Sequence, residues 1–244
     1  MQAQSAEAPG TVVEDRPPVA RLVDVRKTYF KPDGSVMVEA LRGVNLSIQQ
    51  GEYVAIMGAS GSGKSTLMYL LGCLDRPTSG QYFLDGLDVA QMRDTELSQF
   101  RGRKIGFIFQ SFNLIPQLTI EENAEVPLFY QGIEKEERRR RAIEALKLVE
   151  LDHRIGHRPS ELSGGQQQRA AIARALVSEP LVLMADEPTG NLDVETAQGV
   201  QAQMLALSRS TGTAFVVVTH DPALAAQMDR VLVLRDGRLF ADAA

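Results

Sequence analysis

Met57-Gly58-Ala59-Ser60-Gly61-Ser62-Gly63-Lys64-Ser65-Thr66 contains a complete G-x-x-x-x-G-K-S loop, set directly behind the apolar run Val54-Ala55-Ile56-Met57. In such a loop the glycines let the main chain approach phosphate oxygens, successive N–H groups form an anion nest, and the lysine reaches the β- and γ-phosphates. Gly58, Ala59, Ser60, Gly61, Ser62 and Gly63 would supply the nest, Lys64 the cation, and Ser65 a hydroxyl for Mg2+. The run Thr66-Leu67-Met68-Tyr69-Leu70-Leu71 reads as a helix that begins near Gly63 and adds its positive end. So short a motif can arise by chance, and its context decides: a buried strand must precede it and a helix must follow. Both patterns are present, and the stretch predicts binding of a nucleoside triphosphate.

Outward from the loop, continuous apolar runs recur at Ile105-Gly106-Phe107-Ile108-Phe109, Leu181-Val182-Leu183-Met184-Ala185, Phe215-Val216-Val217-Val218 and Val231-Leu232-Val233-Leu234. Unalternating, β-rich runs of this length suit parallel strands buried on both faces. Helical patterns lie between them, near Lys135 to Val149, Gly165 to Val177 and Val194 to Arg209. Alternating strands and helices around a phosphate loop imply an α/β fold with a mostly parallel sheet. Upstream, Leu22-Val23-Asp24-Val25 and Val44-Asn45-Leu46-Ser47-Ile48 flank the turn Lys31-Pro32-Asp33-Gly34, and a further strand pair is expected around Gly80 to Leu84 and the Asp85-Gly86 turn. These form an N-terminal antiparallel β subdomain. From about Ser111 to Ser160 no strand pattern occurs, and the polar, helical character predicts an inserted helical subdomain over about 111–168 of a domain spanning 21–244.

The 244 residues carry 44% hydrophobic side chains, enough for a sizeable core. A net charge of −5 with no long basic stripe argues against nucleic acid as a partner, because phosphate neutralisation needs clustered Lys and Arg. The single Cys73 cannot form an intrachain disulfide and, beside Leu71 and Leu74, reads as a small buried hydrophobe in the helix after the loop. Residues 1–20 carry Glu7, Glu14 and Asp15 without an apolar segment and are expected to be a disordered tail rather than a signal or anchor. No apolar run approaches the roughly 20 residues that span a bilayer.

The strand pattern Leu181 to Ala185 ends in the adjacent carboxylates Asp186 and Glu187, at the sheet edge where ligands gather. Asp186 suits Mg2+, usually through water, and Glu187 suits the base that polarises a water for attack on the γ-phosphate. Leu162-Ser163-Gly164-Gly165-Gln166 opens the helix that continues through Leu176. A hydroxyl and two glycines at a helix N-terminus make a second anion site, which invites the idea that it completes another subunit's nucleotide site.

The ordered combination of phosphate loop, Gln110, Leu-Ser-Gly-Gly-Gln, Asp186-Glu187, Asn191-Leu192-Asp193 and His220 resembles the ATP-binding cassette ATPases, the motor subunits of ABC transporters. The resemblance covers nearly the whole chain from Arg21. It implies ATP and Mg2+ as ligands, with Mg2+ held by Ser65, Gln110 and Asp186. It also implies that Tyr29 stacks on adenine, that Gln110 bonds the metal or attacking water and senses the membrane partner, and that His220 contacts the γ-phosphate. Ser163, Gly164, Gly165 and Gln166 would close on ATP held by a second ATPase subunit, most simply in a homodimer, with Asp193 coupling the two sites. Lys64, Gln110, Glu187 and His220 form the implied catalytic set.

Finer matches at Gly72 to Gly80, Gly106 to Gln110, Asn113 to Pro116 and Ala185 to Asp193 resemble the macrolide-exporter and lipoprotein-releasing ATPases, and Leu151 to Arg154 with His157 to Glu161 leans toward the latter. That branch implies an integral membrane permease with a large extracytoplasmic domain, a periplasmic adaptor as a further partner, and a peripheral place on the cytoplasmic face of the inner membrane. The missing membrane segment makes the permease a separate polypeptide by expectation. A related reading is an ABC ATPase that regulates cell-wall hydrolysis through a non-transporting permease. A chromosome or DNA-repair ATPase would carry a long coiled coil or zinc module between loop and signature, and neither is present.

Three weaker signals remain. His153 and His157 have a metal-ligand spacing on a helix, but Gly156 and Pro159 make a regular helix unfavourable there. The run Glu134 to Arg141 reads as a solvated helix face with Glu134–Arg138 and Glu136–Arg140 pairs rather than a lipid patch. Phe112, Leu114, Ile115, Leu118, Ile120, Phe129 and Tyr130 add apolar surface after Gln110, part of which is expected to receive a short cytoplasmic helix of the permease.

Overall fold

The computed structural model describes residues 17–241; most of the tail expected over residues 1–20 lies outside them. Ala20, placed in that tail by the sequence, is the first residue of a strand and is buried. In chain order the elements are β1 (Ala20–Phe30), β2 (Val36–Ile48), β3 (Tyr53–Met57), α1 (Lys64–Leu71), β4 (Ser79–Leu84), β5 (Leu87–Asp88), α2 (Asp94–Lys104) and β6 (Ile105–Phe109). They continue with α3 (Ile120–Tyr130), α4 (Lys135–Leu148), α5 (Gly164–Leu176), β7 (Val182–Asp186), α6 (Val194–Thr211), β8 (Ala214–Val218), α7 (Pro222–Ala225), β9 (Arg230–Arg235) and β10 (Arg238–Ala241).

Two sheets result. The antiparallel one has the order β2-β1-β4-β5, and the larger one has the order β10-β9-β3-β8-β7-β6, parallel except for β10 against β9. The apolar runs behave as their composition requires: β3, β7 and β8 are buried almost throughout. Successive side chains of a strand point to opposite faces, so each central strand feeds two cores. Val54, Ile56, Met184, Val216 and Val218 pack toward α1 and the antiparallel sheet, while Ala55, Leu183, Ala185, Phe215 and Val217 pack among residues of α3, α4, α5 and α6. Each fully buried Val, Leu or Ile contributes about 1.5–3 kcal/mol, which explains why no polar residue interrupts these strands.

Between β6 and β7 the chain is helical. Thr119 caps α3 by accepting from the Glu122 N–H at 3.2 Å, and Glu122 returns the contact to the Thr119 N–H at 2.8 Å, a capping box. The charge pattern of α4 differs from the expected solvated face. Arg138 reaches Glu125 at 3.3 Å and Arg139 reaches Glu121 at 2.6 Å, both across to α3, while Glu137 takes Arg140 and Arg141 at 2.8 and 2.7 Å. Two of the four arginines thus tie helix to helix, but only Arg138, 18% exposed, is turned from water, while Arg139 stays 63% exposed on the solvated face.

Cys73 is buried, as its neighbours suggest, but it lies just past the C-terminal end of α1 with φ +52 instead of within the helix. Burial pushes its thiol up to about 12, which keeps it protonated and inert.

Candidate nucleotide site

Four neighbouring strands of the larger sheet end at one edge, and the registers fix what stands there. Asp186 pairs with Phe109 on one side and Val218 on the other, and Val218 in turn faces Ile56. The residues that follow, Gln110 after β6, Glu187 after β7, Thr219 and His220 after β8, and Gly58 after β3, are therefore delivered to a common rim. Carboxyl ends of parallel strands are where open α/β sheets bind ligands.

The phosphate loop leaves β3 squeezed between neighbours. A Cβ on Gly58 would lie 2.3 Å from the Leu234 carbonyl oxygen, and one on Gly63 would lie 2.5 Å from that of Ala40. Both residues also have positive φ, +154 and +105, so only glycine fits without displacing β9 or β2. Gly63 caps α1 with no side-chain bond to its first N–H groups, which leaves those donors directed at the loop's mouth. Lys64 Nζ folds back to donate to the carbonyls of Gly58 and Ala59 at 2.8 and 2.9 Å, spanning the loop's crown. This cradle of glycine backbone, free helix donors and one ammonium fits a polyphosphate.

Asp186 and Glu187 differ in environment. Burial raises the Asp186 pKa, the neighbouring Glu187 charge adds to that, and Lys64 opposes it. Glu187 occupies the left-handed region at φ +44, a conformation that costs a non-glycine residue about 1–3 kcal/mol and turns its carboxylate away from the strand line. One oxygen, Oε1, lies 2.6 Å from His220 Nδ1; the other accepts from the Thr219 hydroxyl at 3.5 Å. That hydrogen bond, with the carboxylate's charge, raises the His220 pKa although its side chain is 80% exposed.

Gln110 and Asn191 clasp one another: Gln110 Nε2 donates to Asn191 Oδ1 at 3.1 Å, and Asn191 Nδ2 donates to the Gln110 carbonyl at 3.0 Å. A Cβ on Gly190 would come within 2.8 Å of Gln110 Nε2, so the glycine makes room for the clasp. Asp193 caps α6 by accepting from the Thr196 N–H at 2.9 Å, which lowers its pKa. Tyr29, in β1, is half-buried and donates its hydroxyl to Asp75 Oδ2 at 3.0 Å.

The signature turn sits apart from these groups. Ser163 caps α5 through a capping box with Gln166, Oγ accepting from the Gln166 N–H at 3.3 Å and Gln166 Oε1 from the Ser163 N–H at 3.0 Å. Gly165 presses on α6, where a Cβ would meet Thr196 Cγ2 at 2.3 Å, and one on Gly164 would meet Leu192 at 3.2 Å. Ser163 and Gly165 line a cleft of about 700 Å3 with Arg169, Thr196 and Gln203, and no phosphate-loop residue shares it.

The sequence did not single out Gln168 or Asp75. Gln168 is completely buried in α5, and its Nε2 donates to the Pro188 carbonyl, so the signature helix is tied to the loop that follows Glu187. The third glutamine of Gln166-Gln167-Gln168 falling on an apolar face of the helix is the only signal that could have marked it.

A second cleft, of about 670 Å3, opens between α2, β6, α3 and α5 beside Gln110, with Phe107, Phe109, Val126, Pro127, Tyr130 and Arg174 on its walls. Of the seven apolar residues, part of which were expected to form such a groove, only Tyr130 lines it; Ile120 is in the core, and Phe129 packs under Arg138, whose guanidinium lies 5.3 Å from the ring centre.

A phosphate loop at the rim of a parallel sheet, with an acidic pair on the adjoining strand end, defines a nucleoside triphosphatase. The model of the family described as ABC transporter matches residues 41–190, and the chain belongs to that family, as an ATP-hydrolysing, ATP-binding subunit. An uncharacterised ABC transporter ATP-binding protein of Thermotoga maritima is 52% identical over 91% of this chain and 93% of its own length. The macrolide export ATP-binding/permease protein MacB of Brucella melitensis is 49% identical over 92% of this chain, which spans only 34% of that protein. Among solved structures, the dimeric post-hydrolysis state of the ATP-binding cassette MJ0796 bound to ADP and Pi superposes with a TM-score of 0.79 at 45% identity, covering 91% of this chain and 97% of that one.

Proposed function

We propose that two copies of the chain close head to tail around two ATP molecules and drive a separate integral membrane permease of the macrolide-export or lipoprotein-release type. The observation that carries the dimer is the position of the signature turn: Ser163 and Gly165 line a cleft of their own and not the phosphate loop's, so their helix N-terminus has a γ-phosphate to meet only on another subunit. The dimeric cassette MJ0796, bound to ADP and Pi, supports a dimer.

Within each site, the nest from Gly58 to Gly63 with Lys64 and Thr66 holds the phosphates, and Tyr29 carries the adenine. Ser65, Asp186 and Gln110 would hold Mg2+, which when bound neutralises charge on the phosphates. Glu187 orients the attacking water and accepts its proton, and His220, hydrogen-bonded to Glu187 Oε1, holds that carboxylate in place and faces the γ-phosphate. Asp193, at the cap of α6 beside the signature, links one site to the other.

The cleft beside Gln110 has the apolar walls and the basic rim, Arg101, Arg103 and Arg174, that suit a short amphipathic helix of the permease with acidic residues on its polar face. Movement of Gln110 on nucleotide binding would reach that helix through Phe109, which precedes it in the chain and lines the cleft. A separate permease is supported by the Thermotoga relative, matched over 93% of its length and described as an ATP-binding protein alone, and the macrolide branch by the MacB similarity. A tagged pull-down from native membranes in mild detergent tests this reading. Recovery of a permease with a large extracytoplasmic domain, with or without a periplasmic adaptor, is the expected result; recovery of only soluble proteins would overturn the membrane assignment.

A further inference from the structure

We propose that Asp75 is the residue that positions Tyr29 as the adenine platform, so that affinity for the base, but not for the phosphates, depends on this carboxylate. The inference rests on the reading of Tyr29 as the stacking residue. Three successive residues of β1 are bound to the loop that follows α1. Lys27 Nζ donates to Asp75 Oδ1 at 2.5 Å and to the Arg76 carbonyl at 2.8 Å, the Thr28 N–H donates to Thr78 Oγ1 at 3.0 Å, and the Tyr29 hydroxyl donates to Asp75 Oδ2 at 3.0 Å. The Asp75 carboxylate is thus shared between an ammonium and a phenol, and its Oδ1 also accepts from the Arg76 N–H at 2.7 Å.

The loop is itself immobilised. Arg76 donates to the carbonyls of Ala90 and Met92 and to Asp94, at 2.9, 2.5 and 2.8 Å, and the Asp75 N–H reaches back to the Tyr69 carbonyl in α1 at 3.2 Å. The helix whose N-terminus faces the phosphates therefore carries at its other end the anchor of the base platform. β1 pairs with β4 only as far as Arg26, and just beyond Tyr29 the remaining β1–β2 pair projects into solvent, with Phe30 54% and Met37 67% exposed. Without Asp75 the ring would sit at the base of a free hairpin. A hydroxyl bound to an ionised acceptor makes a short, directional contact, and fixing the ring before the base arrives removes an ordering cost from binding. Lys27 Nζ lies 5.0 Å from the ring centre, which puts a cation beside the aromatic surface and further limits its rotation.

Calorimetric titration of the full-length protein with ATP and with inorganic tripolyphosphate, which lacks a base, separates this role from general support of the fold. Asp75→Ala is expected to weaken ATP about 2- to 10-fold, the equivalent of one ordered side chain, and to leave tripolyphosphate unchanged. Tyr29→Phe, which keeps the ring and removes the hydroxyl, should show the same selective loss, and adding Asp75→Ala to it should cost nothing more. In steady state the defect should fall on KM for ATP and far less on kcat. Equal losses for both ligands would reduce Asp75 to a structural residue and overturn the proposal. So would unchanged ATP affinity in Asp75→Ala while Tyr29→Ala loses it. Unchanged ATP affinity in Tyr29→Ala would instead sink the stacking role itself and this inference with it.

Discussion

At the scale of single residues, the proposed chemistry turns on Glu187, which has a left-handed backbone and whose Oε1 lies 2.6 Å from His220. Replacing the carboxylate by an amide preserves the shape and removes the proton acceptor. Glu187→Gln is therefore expected to lose about 10²- to 10⁴-fold in turnover while retaining ATP binding, measured by phosphate release and calorimetry; near-normal turnover would remove Glu187 as the base. Lys64 bridges the loop through the Gly58 and Ala59 carbonyls, and Lys64→Ala should weaken ATP and tripolyphosphate alike, in contrast to changes at Tyr29. The histidine offers a pH test. Its pKa is raised from the ordinary 6.5 by the hydrogen bond to Glu187 and then by the carboxylate's charge. A raised pKa means the protonated pair contributes fully below about 6.5 and is lost as pH rises through the higher folded value. Imidazole titration by NMR should show the His220 value falling toward 6.5 in Glu187→Gln. An identical value in both proteins would mean the pair does not form in solution.

At the scale of elements, the packing of the signature helix makes a sharper demand than its composition suggests. A Cβ on Gly165 would stand 2.3 Å from the Thr196 methyl, and Thr196 is a β-branched residue with little rotameric freedom in the first turn of α6. Gly165→Ala should cost about 1–3 kcal/mol by overpacking, and Thr196→Ser, which deletes only that methyl, should recover most of it in the double variant. Thermal denaturation of the three proteins without nucleotide checks this, and additive losses would show that the two helices do not meet there. The same elements show what was legible beforehand. The unbroken apolar runs of β3, β7 and β8 announced themselves because both faces are buried, those of β6 and β9 because their apolar composition is as continuous, and Ser163 carries a side chain that caps where a helix begins. α2 escaped because only Leu97 of its eleven residues is buried, so no apolar period exists to be read. β10 escaped because an edge strand of four residues follows an ordinary Asp236-Gly237 turn. Most of the rim residues were visible as motif positions, whereas Asp75 and Gln168 act through partners far along the chain, Tyr29 and Pro188, which no local pattern encodes.

At the scale of the whole molecule, the separation of the signature cleft from the phosphate loop predicts how defective subunits behave when mixed. In a head-to-tail dimer each ATP is held by the loop of one copy and the signature of the other. Lys64→Ala homodimers lack both loops, and homodimers of Ser163→Arg, whose long cation obstructs the α5 N-terminus, lack both signatures; each alone should be inactive. A mixed dimer places the two defects in one site and leaves the other with an intact Lys64 facing an intact Ser163. Random mixing of equal amounts should then restore activity to about a quarter of the wild-type level if the sites fire independently, and to less if both must fire together. Were loop and signature to serve the same ATP within one subunit, every subunit in the mixture would be defective and no activity would return. Phosphate release after co-refolding or co-expression of the two variants distinguishes these outcomes, and it does so without identifying the permease. The measurement also probes Gln168, which joins the signature helix to the loop after Glu187 inside each subunit. If that joint transmits closure from one site to the next, the single intact site of the mixed dimer should fire more slowly than half of a wild-type dimer, because its neighbour, lacking a held γ-phosphate, never closes.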